Sequence, residues 1–97
     1  MVVKESPDFV KWIRQLRDRE GRNAVLVRIG RLIDGHAGDA APVGEGVSEL
    51  RIHKSPGYRV YFQRRGDTLL LLLCGGDKDS QDRDIVKAKQ IAATWEE

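Results

Sequence analysis

Residues 69–74 read Leu-Leu-Leu-Leu-Leu-Cys, without one polar side chain. A strand with one wet face alternates apolar and polar residues, because successive side chains point to opposite faces. This run does not alternate, and it is far too short to cross a bilayer. It predicts a central strand over 68–74 that is covered on both faces, and so demands packed layers on either side of a sheet. A chain of 97 residues has room for one such domain, spanning 1–97, and for no second core.

The remaining elements fall around that strand. Val2 to Glu5 can form a short first strand. Ser6 and Pro7 open a helix, as N-cap and first helical residue, and Phe9, Trp12, Ile13 and Leu16 recur at helical spacing. Arg17 to Gly21 is a polar break. A second helix follows, with Ala24, Val25, Leu26, Val27, Ile29, Leu32 and Ile33 on a broad apolar face, so the two make an αα-hairpin. Gly35 to Gly46 reads as loop, being rich in glycine and small residues. Val47 to Lys54 and Tyr58 to Arg64 read as strands joined by a Ser55–Pro56–Gly57 turn. Gly66 and Asp67 turn the chain into the apolar strand, Gly75 to Asp79 is a loop, and Ser80 to Trp95 is a final helix with Ile85, Ala88, Ile91, Ala92 and Trp95 inward. The expected architecture is α+β: an N-terminal helical hairpin packed on a small, mainly antiparallel sheet, with a C-terminal helix.

Composition narrows the function classes. No signal peptide or membrane span is evident, which predicts a cytoplasmic protein with no membrane partner. The single cysteine, Cys74, cannot form an internal disulfide. With His36 and His53 as the only histidines, no zinc site is expected, and no other cofactor. Net charge is only +2, but residues 47–65 carry Arg51, Lys54, Arg59, Arg64 and Arg65 against Glu49 alone. Positive charge focused on one segment attracts polyanions.

The turn sets a pairing for the two strands around it. A three-residue loop puts Lys54 opposite Tyr58, His53 opposite Arg59, Arg51 opposite Tyr61, and Leu50 opposite Phe62. Leu50, Ile52, Tyr58, Val60 and Phe62 then share a core face, while Glu49, Arg51, His53, Arg59 and Tyr61 share the other. Two arginines on adjacent strands repel unless an anion lies near. Arginine forks bind phosphate, and tyrosine or histidine can stack on a base or move a proton. Taken alone, such a cluster also suits a plain solvated sheet face. After the apolar strand, Gly75 and Gly76 permit a sharp turn or a close ligand approach. Lys78 beside the start of the last helix could help receive a phosphate, and Ser80 or Asp79 could cap that helix. Cys74 reads as a buried strand residue and not as a nucleophile.

Taken together, several blocks resemble a known family: Glu49–Leu50–Arg51–Ile52, Gly57–Tyr58–Arg59–Val60–Tyr61–Phe62, Leu71 to Lys78, and Gln81 to Ile85 with Ala88–Lys89. With Ser6–Pro7–Asp8–Phe9, Trp12–Ile13 and the Gly35 to Asp39 loop, nearly the whole chain is similar to the phage-derived, HigB-type killer proteins of the RelE/ParE superfamily. The resemblance implies a RelE-like fold and the toxin of a type II toxin–antitoxin system, a ribosome-dependent endoribonuclease that cuts mRNA without a metal. Its implied partners are the ribosome, mRNA and a helix-turn-helix, HigA-type antitoxin in a hetero-oligomeric complex. By position, Arg59 matches the phosphate-binding arginine of the superfamily, and Arg51 a second phosphate or leaving-group contact. Lys78 lies near a further basic position. His53 and Tyr61 could transfer protons or stack on a base, and Asp82 could orient a cation or act as base. The expected catalytic set is therefore Arg51, His53, Arg59, Lys78 and Asp82, with Lys54, Tyr61, Arg64 and Arg83 as RNA contacts.

The sequence departs from the family at its last helix, where Asp84–Ile85 and Thr94–Trp95–Glu96–Glu97 offer no tyrosine or histidine. Two other classes compete with the nuclease: a ParE-like toxin that binds gyrase, which generally lacks the basic set found here, and an inert phage-derived accessory domain.

Overall fold

The computed structural model describes residues 1–96. The chain runs β1 (Val2–Glu5), α1 (Pro7–Gln15), α2 (Arg19–Ile33), β2 (Ala40–Gly44), β3 (Val47–Ile52), β4 (Tyr58–Arg65), β5 (Leu69–Asp77) and α3 (Gln81–Thr94). The strands form one sheet in the order β1-β5-β4-β3-β2. All neighbours are antiparallel except β1 and β5, which run parallel, so the sheet is mixed.

The apolar run is interior to the sheet and covered on both faces. Leu70 and Leu72 join the core under α1 and α2, with Phe9, Val25, Ile29, Leu32 and Val60. Leu71, Leu73 and Cys74 face α3 and pack with Tyr61, Ala88 and Ala92. Two consecutive residues, Leu73 and Cys74, share a face because β5 bulges there. Tyr61 pairs with Cys74 and Phe62 with Leu72, leaving Leu73 as the extra residue.

Helix α1 starts where expected. Ser6 Oγ accepts the Phe9 N–H at 2.9 Å and donates to the Leu73 carbonyl, so one buried hydroxyl caps the helix and ties it to β5. Asp18 caps α2, accepting the Gly21 N–H at 3.0 Å and the Tyr58 hydroxyl at 2.8 Å. That bond, after burial, pushes the Tyr58 phenol up to about 12.

Four expectations are corrected. Strand β1 forms over Val2–Glu5, where a first strand is expected, but the two helices that follow are not an N-terminal hairpin: α1 packs on β5 and α2 over β3 and β4, so the sheet, and not a mutual hairpin interface, organises them. The loop over 35–46 contains β2, whose Ala40 and Ala41 pair with Leu50 and Glu49; pairing to β3 overrides the weak strand propensity of Ala-Ala-Pro-Val-Gly. The β3–β4 turn spans His53 to Gly57, not three residues, so Arg51 pairs with Arg59, Leu50 with Val60 and Glu49 with Tyr61. The register therefore differs by two from expectation, which preserves the division of side chains between faces. Finally, Gly75 and Gly76 lie within β5 and not in a loop.

Candidate active site

Strand alternation puts Glu49, Arg51, Arg59 and Tyr61 on the α3 side of the sheet, and Glu49 organises them. Its side chain is 1% exposed. It accepts Arg51 Nε at 2.9 Å, Gln81 Nε2 at 2.8 Å and the Tyr61 hydroxyl at 3.3 Å, and Arg59 Nε lies 3.4 Å from its Oε2. Burial pushes the Glu49 carboxyl upward, but the bonds from Arg51 and Gln81 and the charges of Arg59 and Arg51 outweigh it and hold the group below the usual range. The anion that two neighbouring arginines require is thus built into the sheet.

Arg51 also reaches Asp39 Oδ1 at 3.2 Å, and its guanidinium is held more basic by Glu49 first and Asp39 next. Asp39 takes a short hydrogen bond from His53 Nε2; that bond, against desolvation and with help from Arg51, lowers the Asp39 carboxyl. His53 lies at the rim, 73% exposed. Arg59 is different from Arg51. Its side chain is only 15% exposed, its Nε is buried without a hydrogen bond, and it makes no hydrogen bond among the described residues. Both Nη groups are therefore uncommitted, beside a buried carboxylate and opposite Gly76 of β5.

The sequence-expected residues divide into those this cluster gathers and those it does not. Arg51, Arg59, His53 and Tyr61 converge on the Glu49–Asp39 pair. Tyr61 is fully buried, so its ring offers no stacking surface; burial first, and Glu49 next, raise its hydroxyl and keep it protonated. Gln81 bonds Glu49, which anchors the first turn of α3 here and places exposed Lys78 and Asp82 at the same end of the molecule. Lys54 pairs with Glu20 at 3.1 Å on the loop beyond His53. Arg64 lies on the opposite face, over the Phe62 ring and near the Leu32 carbonyl. Arg83 lines a separate cleft of about 370 Å³ with Trp12 and Lys11. The residues not anticipated as part of the site are Glu49, Asp39 and Gln81. Glu49 had a signal, as the lone acid of a basic segment; Asp39 and Gln81 had none.

Cys74 is buried and its thiol pushed up to about 12 by desolvation, with Asp84 next, which removes it as a nucleophile at neutral pH. No group of three or more His, Cys, Asp or Glu that could hold a metal occurs among the described residues, and no described helix is long and apolar enough to cross a membrane.

No protein-family model matches the sequence. An uncharacterized protein of Haemophilus influenzae (strain KW20 / Rd) is 41% identical over 90 residues, covering 93% of this chain and 91% of its own. The chain belongs to that protein's family. Among solved structures, a variant of the E. coli toxin RelE in the free state matches with a TM-score of 0.70 and 13% identity, over 92% of this chain and 95% of its own. YafQ from E. coli strain BL21(DE3) matches with a TM-score of 0.66 and 16% identity, over 82% and 96%. The fold is RelE-like, and the paired arginines lie on the α3 face of its sheet.

Proposed function

We propose that this protein is the toxin of a type II toxin–antitoxin system, of the HigB type, and that it cuts mRNA on the translating ribosome by metal-independent attack of a 2′-hydroxyl on the adjacent phosphate. The observation that carries the reading is Arg59, a half-sequestered guanidinium whose Nη groups are unspent and whose position is fixed by buried Glu49. Such a fork matches two phosphate oxygens. The RelE-like fold and the family resemblance of the Tyr58–Arg59 strand support it.

In this reading the 2′-oxygen bonds to phosphorus as the bond to the 5′-oxygen breaks, giving a 2′,3′-cyclic phosphate. Arg59 and Arg51 face the charge that grows on the phosphorane oxygens. His53, oriented through Nε2 by Asp39, leaves Nδ1 to take the 2′-proton or to return one to the leaving oxygen. Asp82 is the second candidate for the proton acceptor. Lys78 supplies further positive charge, and Lys54, Arg64 and Arg83 contact RNA outside the cut site. Tyr61 acts through Glu49 as a positioning residue. A cognate helix-turn-helix antitoxin neutralises the activity.

The test is primer extension on a reporter mRNA after brief induction, with Arg59→Ala alongside. Cuts that require active translation and vanish in the folded variant are expected. A fully active Arg59→Ala protein would remove Arg59 from the chemistry, and an uncut transcript in the wild type would remove the nuclease reading.

A further inference from the structure

Strand β1 pairs with β5 only as far as Leu72. Beyond it no described strand covers that edge of β5, and α1 and the start of α3 flank it instead. The cleft of about 370 Å³ opens there, within the size range of small-molecule sites. One wall is the half-buried Trp12, held by the Phe9 ring at 6.1 Å and by the edge of the Tyr58 ring at 6.2 Å between centroids. Gly75 and Gly76 line the cleft without side chains; Trp12 closes on the first and Asp84 on the second, from opposite faces of β5. Asp84 is only 5% exposed. Its Oδ2 accepts the Ser80 hydroxyl, but its Oδ1 makes no hydrogen bond and the carboxylate no ion pair among the described residues. A buried carboxylate ordinarily finds donors enough to replace its lost hydration. At the mouth the other acids are spent: Asp8 pairs with Lys87 at 3.7 Å, and Asp77 Oδ1 accepts the N–H groups of Asp79 at 2.9 Å and Ser80 at 3.1 Å. Lys11 and Arg83 are exposed there, and neither makes an ion pair among the described residues.

We infer that this cleft is a guanine-nucleotide subsite, in which the base lies on Trp12 with its N1–H and N2–H toward Asp84 and the phosphate meets Lys11 and Arg83. The lining asks for a ligand that is planar, donates hydrogen bonds at its inner end and is anionic at its outer end. Guanine carries two donors side by side on its Watson–Crick edge, the match for a carboxylate. Adenine and cytosine each set one donor beside an acceptor, and uracil sets one donor between two acceptors; an acceptor placed against Asp84 repels it. An arginine or lysine from a partner protein would also satisfy Asp84, but it would enter past two uncompensated cations, at an electrostatic cost. A base held on an aromatic ring and read along its Watson–Crick edge is the way single-stranded RNA is recognised. Gly76 pairs with Arg59, so the cleft lies one strand spacing, about 4.8 Å, from the strand that carries this arginine. On the reading above, and resting on it for this step alone, the nucleotide is the mRNA guanosine next to the scissile phosphate; a free guanine nucleotide offers the same chemistry.

The probe is GMP, titrated into the wild type with AMP, CMP and UMP alongside and followed through the indole N–H resonances of Trp12 and Trp95. Trp12 is expected to shift and Trp95, which packs in the other core cluster, to stay. GMP should bind at least about tenfold more tightly than the other three. Asp84→Asn keeps the shape of the side chain and should erase that preference. A Lys11→Glu, Arg83→Glu double variant should weaken binding of all four nucleotides alike; both positions are exposed, so it tests the cleft whether or not Asp84→Asn folds. Equal binding of the four nucleotides would overturn the guanine assignment, and an unmoved Trp12 would overturn the cleft. Primer extension separates the two sources of the nucleotide. Cuts beside guanosine that lose this bias in Asp84→Asn put the base in the mRNA; guanine-selective binding with cuts indifferent to guanosine makes the ligand a free nucleotide. A wild type that cuts no mRNA removes the toxin reading, and the GMP titration then decides the subsite by itself.

Discussion

Glu49 carries more of this protein's chemistry than its acidity suggests. It is a buried acceptor for Arg51, Gln81 and Tyr61 and lies within an ion-pair distance of Arg59. Removing a buried acceptor leaves its donors facing one another without the charge that held them. Glu49→Ala should lower stability by about 2–4 kcal/mol, read as a fall in urea midpoint at pH 7, and should reduce cleavage even though it touches no substrate. Glu49→Gln separates the two effects: it keeps the shape and one acceptor oxygen, so a smaller loss of stability is expected, with a loss of cleavage close to that of Glu49→Ala. The acid limb follows from the same residue. Its folded pKa lies below its unfolded value, so its contribution is complete above about pH 4.5, the ordinary glutamate value, and is lost as pH falls through the depressed one. Urea melts between pH 7 and 3 should show wild-type stability falling in that window and a shallower fall in Glu49→Gln; identical slopes would mean that another carboxylate sets the acid limb.

At the scale of elements, β5 is squeezed between α1 and α3 at its last turn. A Cβ on Gly75 would meet the Trp12 ring at 2.3 Å, and one on Gly76 would meet the Asp84 carboxylate at 1.8 Å and Ser80 Oγ at 2.6 Å. Gly76→Ala should push the start of α3 off the sheet, costing about 1–3 kcal/mol, and it should also weaken cleavage because Gln81 is carried on that turn. Gly75→Ala displaces Trp12 instead, so a similar thermal shift with less effect on cleavage is expected; equal losses of cleavage would show that the site depends on both helices. These glycines mark where the sequence was legible and where it was not. The unbroken apolar run announced an interior strand with two covered faces, and the Ser6–Pro7 cap announced α1, because both signals are local. The alternation in β3 and β4 separated the arginine face from the core face despite a two-residue error in register, since an even shift keeps every side chain on its side. Gly75 and Gly76 looked like a turn because glycine breaks strands more often than it lets helices close on them. Strand β2 was hidden because its pairing with β3, and not its composition, makes it a strand. In the site, Arg51 and Arg59 were readable from strand period, whereas Asp39 and Gln81 arrive from distant elements that only the packed fold brings in.

The whole molecule is a three-layer arrangement, with α1 and α2 on one face of the sheet and α3 on the other, and its single thiol sits between sheet and α3. Cys74 should therefore react with a disulfide reagent at pH 8 only as fast as the chain opens, with a rate that follows denaturant in step with global unfolding; rapid labelling of native protein would mean that α3 lifts independently. The parallel pairing of β1 with β5 has a different consequence. Val2 to Glu5 align with Leu69 to Leu72, and Ser6 is bonded to Leu73. Strand β1 thus waits for β5, whose paired residues follow it by 67 positions (Val2 to Leu69), which at about 5–20 residues per second is a delay of several seconds. During that interval the nascent chain lacks the β5 neighbour opposite Arg59, so the arginine pair is set into a finished sheet only after Gly76 and Asp77 have been added.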